Sequence, residues 1–179
     1  MKVVEHLEKY IGEIARSIDI NDKQYQITIS LYDNTPFEDI RTFSTLGVNR
    51  YFISYYYEFI FVCMAKYNEN EISSFLTSLS EYLINGKIRV NRGDVLSFDF
   101  TMTSETKMNS FYFSLPFYFD DDLQDLKLKD RSVVFPLIIP IYSSEALLIE
   151  QKGWEKFEEF LEDNEINDLW DLNRNEYSW

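Results

Sequence analysis

Between Tyr55 and Ala65 the chain runs through three tyrosines and one carboxylate into Phe59-Ile60-Phe61-Val62-Cys63-Met64. Aromatic and β-branched residues at that density suit a pleated surface buried on both sides. The run therefore predicts a central strand, with Cys63 and Met64 filling its buried end. A central strand needs neighbours, and the sequence supplies them. Tyr25, Ile27, Ile29 and Leu31 alternate with Gln26, Thr28 and Ser30, a half-buried strand closed by the turn Asp33-Asn34-Thr35-Pro36. Arg41 to Gly47 reads as a short extended piece. Ile88–Val90 and Val95–Phe100 flank the turn Asn91-Arg92-Gly93-Asp94, and Phe111–Tyr118 adds another aromatic strand. Val133–Tyr142 reads as a strand whose Pro136 and Pro140 suggest an edge or a bulged path.

Helical spacing appears on either side of these strands. Val4, Leu7, Ile11, Ile14 and Ile18 form one stripe, which predicts a first helix over that whole span. Ile72, Phe75, Leu76, Leu79 and Leu83 predict a second, with Asn68 as N-cap and Asn85-Gly86 as stop. Ser143-Ser144-Glu145 opens a helical C-terminal region that Gly153 divides, and Trp154, Phe157, Phe160 and Leu161 give its second part an apolar face. Asp120 to Asp130 lies between as a charged loop. The sum is an α+β fold, a mostly antiparallel or mixed sheet flanked by helices. With 179 residues, no internal repeat and no linker, one domain is expected over 1–179: a core over about 1–165 and an acidic extension over 166–179.

Composition narrows the function. There are 31 acidic and 17 basic residues, a formal net charge of -14, which opposes phosphate-backbone binding and favours a basic partner. Residues 119–179 hold 16 of those acids and 6 of the bases. No apolar stretch approaches the roughly 18 residues of a membrane helix, and the N-terminus carries Glu5, His6 and Glu8 where an export signal would be apolar. A single cysteine allows no internal disulfide and suits a reducing cytoplasm.

The sequence holds no recognisable catalytic set. His6 is the sole histidine, placed on a helix surface or edge, and Cys63 is embedded in an apolar run that makes it a core residue. Asp120, Asp121, Asp122 and Asp125 lack the glycine and closing glutamate of a calcium loop, so neither metal nor cofactor is expected. The one enzymatic alternative is a metal-dependent nuclease built from Asp94 or Asp99 with Glu105-Thr106-Lys107, a spacing common by chance on a chain whose charge would repel the substrate.

Four stretches in order resemble the suppressor-of-fused family, in the form found in small bacterial proteins. They are Arg41-Thr-Phe-Ser-Thr-Leu-Gly-Val-Asn49, Tyr57-Glu58-Phe-Ile-Phe61, the helix Ile72–Leu83 leading to Gly86, Gly93 and Asp94, and Pro140-Ile-Tyr-Ser-Ser-Glu145 with Gly153, Phe157 and Phe160. The resemblance implies an α+β domain without an established catalytic centre. It also implies an immunity protein, or antitoxin, that neutralises a secreted polymorphic toxin such as one with an LXG-type export domain. A basic, nucleic-acid-degrading toxin would suit the acidic balance. A regulatory or scaffold module with another partner is the alternative. Within the motifs, Thr45, Gly47 and Glu145 read as structural, Glu145 as a helix cap. Partner contact is expected from Asp120, Asp121, Asp122 and Asp125 on the loop, and from Glu155, Glu158, Glu159 and Glu162 on the last helix. An aromatic anchor is expected from Trp154, Trp170 or the tyrosines at 51–57.

Overall fold

The computed structural model describes residues 2–21, 24–52, 55–97 and 102–179. Nine strands and four α-helices occur among them: α1 (Val3–Tyr10), β1 (Arg16–Asn21), β2 (Gln26–Asp33), β3 (Ile40–Leu46), β4 (Ile60–Met64), α2 (Glu69–Gly86), β5 (Val95–Ser97), β6 (Ser110–Ser114), β7 (Asp125–Lys127), β8 (Ser132–Val134), β9 (Leu137–Ile141), α3 (Ser143–Lys152) and α4 (Trp154–Asp163). Seven strands form one sheet in the order β1-β2-β3-β4-β9-β6-β5, and β7 pairs with β8. All pairings are antiparallel except β4 with β9, so the expected mixed, mostly antiparallel sheet is present.

Both faces of the sheet are covered. Alternation sends Ile27, Ile29, Leu31, Phe43, Phe61, Phe111 and Phe113 to one side, where Phe75, Leu76 and Leu79 of α2 meet them. Ile60, Val62, Tyr112, Ile139 and Ile141 point the other way, onto Leu7, Ile149 and Phe157 of α1, α3 and α4. Leu79 and Phe157 are both fully buried, so replacing either with Ala should cost about 2–5 kcal/mol. Asn68 caps α2 as expected, its side chain accepting from the Asn70 and Glu71 amides at 2.9 and 3.4 Å. Lys87, rather than Gly86, takes the left-handed position that ends it.

Several boundaries differ from expectation, each for a local reason. The first helix stops after Tyr10, because Gly12 turns the chain at a φ of 126° and Ala15 begins to pair with Leu31. Ile18 therefore lies on β1 opposite Ile29, in the α2 layer, while Leu7 and Ile11 serve the other layer. One spacing thus matched two elements. His6 is buried, not on the surface: its ring stacks on Phe135 at 5.0 Å, its Nε2 lies 3.4 Å from the Leu123 carbonyl, and burial pushes its pKa below the ordinary value.

The central strand is shorter than Tyr55–Ala65, with Tyr57 contributing one bridge to Val134 before β4 begins. Ile88–Val90 is not a strand, and β6 ends at Ser114 ahead of Pro116. The β5 pairing covers Val95–Ser97, and Phe98 to Phe100 lie outside the described residues. The charged loop contains a 3-10 turn at Asp121–Leu123 and then β7.

The run Val133–Tyr142 breaks into β8 and β9, and β9 is interior rather than an edge, flanked by β4 and β6. Pro140 is tolerated there because β4 pairs only as far as Ile138. The Pro140 carbonyl is taken instead by the Arg174 guanidinium at 3.3 Å. Residues 166–179 pack back on the domain. Leu169, Leu172 and Arg174 are buried, and the Trp170 carbonyl accepts from the Met64 amide at 3.0 Å.

Candidate functional site

Two carboxylates at motif positions are fully buried. Glu58 sits at the entrance of β4 and meets the loop after β3. Its Oε2 accepts from the Thr45 hydroxyl at 2.7 Å, and its Oε1 from the Gly47 and Asn49 amides at 2.8 and 3.3 Å and from the Asn49 side-chain amide. Thr45 in turn accepts from the Phe59 amide at 2.8 Å, which orients its proton toward Glu58. Gly47 is required twice over: its φ is 108°, and a Cβ would sit 2.6 Å from the Gln26 carbonyl oxygen. Burial pushes the Glu58 pKa up, against the pull of the donors around it.

Glu145 is the second. It caps α3 by accepting from the Tyr142 amide at 2.9 Å, the role its position predicts. It also receives both terminal nitrogens of Arg174 at 2.7 Å, in an ion pair with neither side chain exposed, and the Tyr177 amide at 2.7 Å. Burial works against the Arg174 charge, yet Glu145 holds the guanidinium pKa above its ordinary value. Sequence reasoning missed Arg174, since nothing marks a lone arginine in an acidic stretch as the partner of a residue 29 positions away. Both carboxylates are spent on the fold.

The residues expected to touch a partner divide into three groups. Asp120, Asp121, Asp122 and Asp125 are exposed but engaged locally: Asp120 caps the 3-10 turn, Gln124 donates to Asp121, Tyr10 to Asp122 and Ser132 to Asp125. On α4, Glu155, Glu159 and Glu162 are exposed, and Glu159 pairs with Lys156. Glu158 differs. It turns inward to Arg92, Tyr112 and Ser114, the last two donating at 2.7 and 3.0 Å. Burial pushes its pKa up, but Arg92, Tyr112 and Ser114 outweigh that and hold it below the ordinary value. Trp154, half-buried, lies under the Arg92 guanidinium at 5.0 Å.

Trp170 belongs to an aromatic cluster that composition did not reveal. Its ring is 5.2 Å from Phe37 and 5.3 Å from Tyr118, and Tyr118 is 4.4 Å from Phe117. Phe37 and Phe117 are about half exposed, at 49% and 48%. Beside Phe117 opens a trough of about 410 Å³, lined by the apolar Leu115, Phe117, Leu161, Ile166 and Leu169, by Glu162 and Glu165, and by Arg92 paired with Glu158. The only sequence sign of it was an aromatic directly after Pro116 in a strand-ending loop. The tyrosines at 51–57 turn mostly inward: Tyr57 is buried and donates to the Val90 carbonyl at 3.0 Å, and Tyr51 accepts from the Gln26 amide at 2.8 Å.

For the nuclease alternative, Asp94 accepts from the Asn91 amide at 2.7 Å within its turn, Glu105 is exposed, and Asp99 lies outside the described residues. Among the described residues, no three His, Cys, Asp or Glu side chains are grouped to hold a metal. Burial pushes the Cys63 thiol up to about 12. No helix among the described residues is long and apolar enough to cross a membrane.

A family model described as suppressor of fused protein (SUFU) matches residues 23–175. Immunity protein YqcF of Bacillus subtilis (strain 168) is 26% identical over 160 residues, covering 86% of this chain and 83% of that protein. In fold, a suppressor of fused homologue from Neisseria gonorrhoeae FA 1090 matches with a TM-score of 0.79 at 17% identity, over 99% of this chain and 95% of that one. A chain of the Sufu-Fu complex matches at 0.73 and 11% identity, over 97% and 89%. The matched span contains the Glu58 hub, the hairpin turn and the Glu145–Arg174 pair, and on that evidence the chain belongs to the suppressor of fused protein family.

Proposed function

We propose that this chain is an immunity protein that neutralises a cognate toxin by stoichiometric binding rather than by catalysis. The observation that carries the reading is the similarity to Immunity protein YqcF along most of both chains. Two features support it. The motif carboxylates Glu58 and Glu145 are occupied within the fold, and the surface keeps a large acidic excess that would steer a basic toxin, a nuclease above all. In this reading Asp120, Asp121, Asp122, Asp125, Glu155, Glu159 and Glu162 act on association, and Trp170 with Phe37 and Phe117 supplies the aromatic anchor. Glu158 and Trp154 serve chiefly to fasten α4 to the turn at Arg92. The test is co-expression with the toxin encoded beside this chain in its native genome, followed by size-exclusion chromatography of the purified pair. Restored growth and a one-to-one complex are expected. Undiminished toxicity without a complex would leave a regulatory module as the better reading.

A further inference from the structure

We propose that the trough between α4 and the Leu115–Phe117 segment seats an amphipathic, basic helix of the partner. An apolar trough edged by carboxylates on its α4 side, where Arg92 is already neutralised by Glu158, matches a helix that places aliphatic side chains at i, i+3 or i+4 and i+7 downward, with lysine or arginine on the flank that meets Glu162 and Glu165. Glu162 and Glu165 are exposed, and neither has an ion-pair partner among the described residues. A second copy of this chain is the wrong occupant, because each copy carries a formal charge of -14 and would bring like charge to an acidic rim.

The backbone at the rim shapes the trough. After α4 the Ile166 amide donates to the Leu161 carbonyl at 2.9 Å and the Glu165 amide to the Glu162 carbonyl at 3.0 Å. That pair of bonds places Glu165 in the left-handed conformation, with φ at 50°, where glycine is the usual residue. Lys87 ends α2 in the same conformation, so the turn at Glu165 is a helix stop, and its value here is the position it gives Ile166. The same motif brings Ile166 over Leu161, which builds one wall of the trough.

The choice of a toxin as the partner rests on the immunity reading; the trough and the class of segment it takes do not. The test uses the full chain and a synthetic Lys/Leu amphipathic peptide of roughly 18 residues, about five helical turns, with a Glu/Leu peptide as control. Titration calorimetry should show binding of the basic peptide alone. Phe117→Ser and Glu165→Gly should each weaken it by about fivefold or more, as expected of an anchor and its rim. Glu165→Gly should keep or raise the unfolding midpoint, which separates binding from folding. Equal binding by parent and both variants, or binding of the Glu/Leu peptide, would overturn the proposal. In a second arm the variants are tested against the toxin. Loss of protection in both supports the trough as the toxin's seat, and full protection by both overturns that assignment while leaving the immunity reading intact. If the parent itself fails to protect but the peptide still needs the trough, the immunity reading falls and the docking site stands.

Discussion

Glu58 and Glu145 are equally buried, yet the two regions hold their charge in different ways. Glu58 is surrounded by neutral donors from residues 45–49, one loop away in sequence. Glu145 depends on a guanidinium delivered by the C-terminal segment. A carboxylate ringed by local amides keeps most of its donors when one is removed. A buried ion pair does not, because either partner alone is an uncompensated charge. The N-terminal half of the sheet should therefore tolerate loss of one hub residue better than the C-terminal layer tolerates loss of Arg174.

The largest expected effect follows directly. Arg174→Met leaves Glu145 buried and unpaired and should cost about 3–5 kcal/mol in urea unfolding. The double variant Arg174→Met/Glu145→Gln should recover part of that loss, since no isolated charge then remains. If the single and double variants unfold alike, the pair is not what holds residues 166–179 down. Next comes Glu58→Gln. Its amide must turn an NH₂ group toward donors that already fill the hub, at a cost of about 2–3 kcal/mol. A cost as large as that of Arg174→Met would erase the contrast between the two sites.

A smaller effect is expected at Glu158, where Arg92 is nearly half exposed and screening reduces the pair to about 1 kcal/mol. Its folded pKa is depressed, so the folded state binds its proton less readily than the unfolded chain. The contribution is present above the unfolded carboxyl range of about 4.5 and is lost as pH falls through the lower folded value. Urea midpoints of parent and Glu158→Gln should differ at pH 7 and converge as pH drops below about 4. A difference that persists undiminished would mean that packing, not charge, fixes this contact.

The contrast also shows what the sequence makes legible. The strands of the aromatic runs, the α2 cap at Asn68, the Gly47 turn and the Glu145 cap are local, and local spacing or a local turn residue exposes them. The end of the first helix is not legible, because Ile14 and Ile18 keep helical spacing beyond Gly12 and periodicity carries no record of which layer a residue joins. The interior place of β9 is hidden by Pro140, whose missing donor is harmless because β4 pairs only as far as Ile138, while Arg174, distant in sequence, takes the carbonyl that β4 leaves free. The acids of α4 were visible as a class. That Glu158 faces inward while Glu162 and Glu165 border a trough follows from contacts with Arg92, Leu115 and Phe117 that only the fold brings together.

The smallest effect on stability carries the most weight for function. In the proposed function, interior carboxylates build the fold and rim carboxylates act on association with the partner. The most direct measurement is the association rate of Glu162→Gln/Glu165→Gln with the toxin at low salt, taken alongside its unfolding midpoint. The account predicts stability within about 0.5 kcal/mol of the parent and slower association, with the difference shrinking as ionic strength rises and screening shortens the reach of the rim. Unchanged association at low salt with unchanged stability would contradict it.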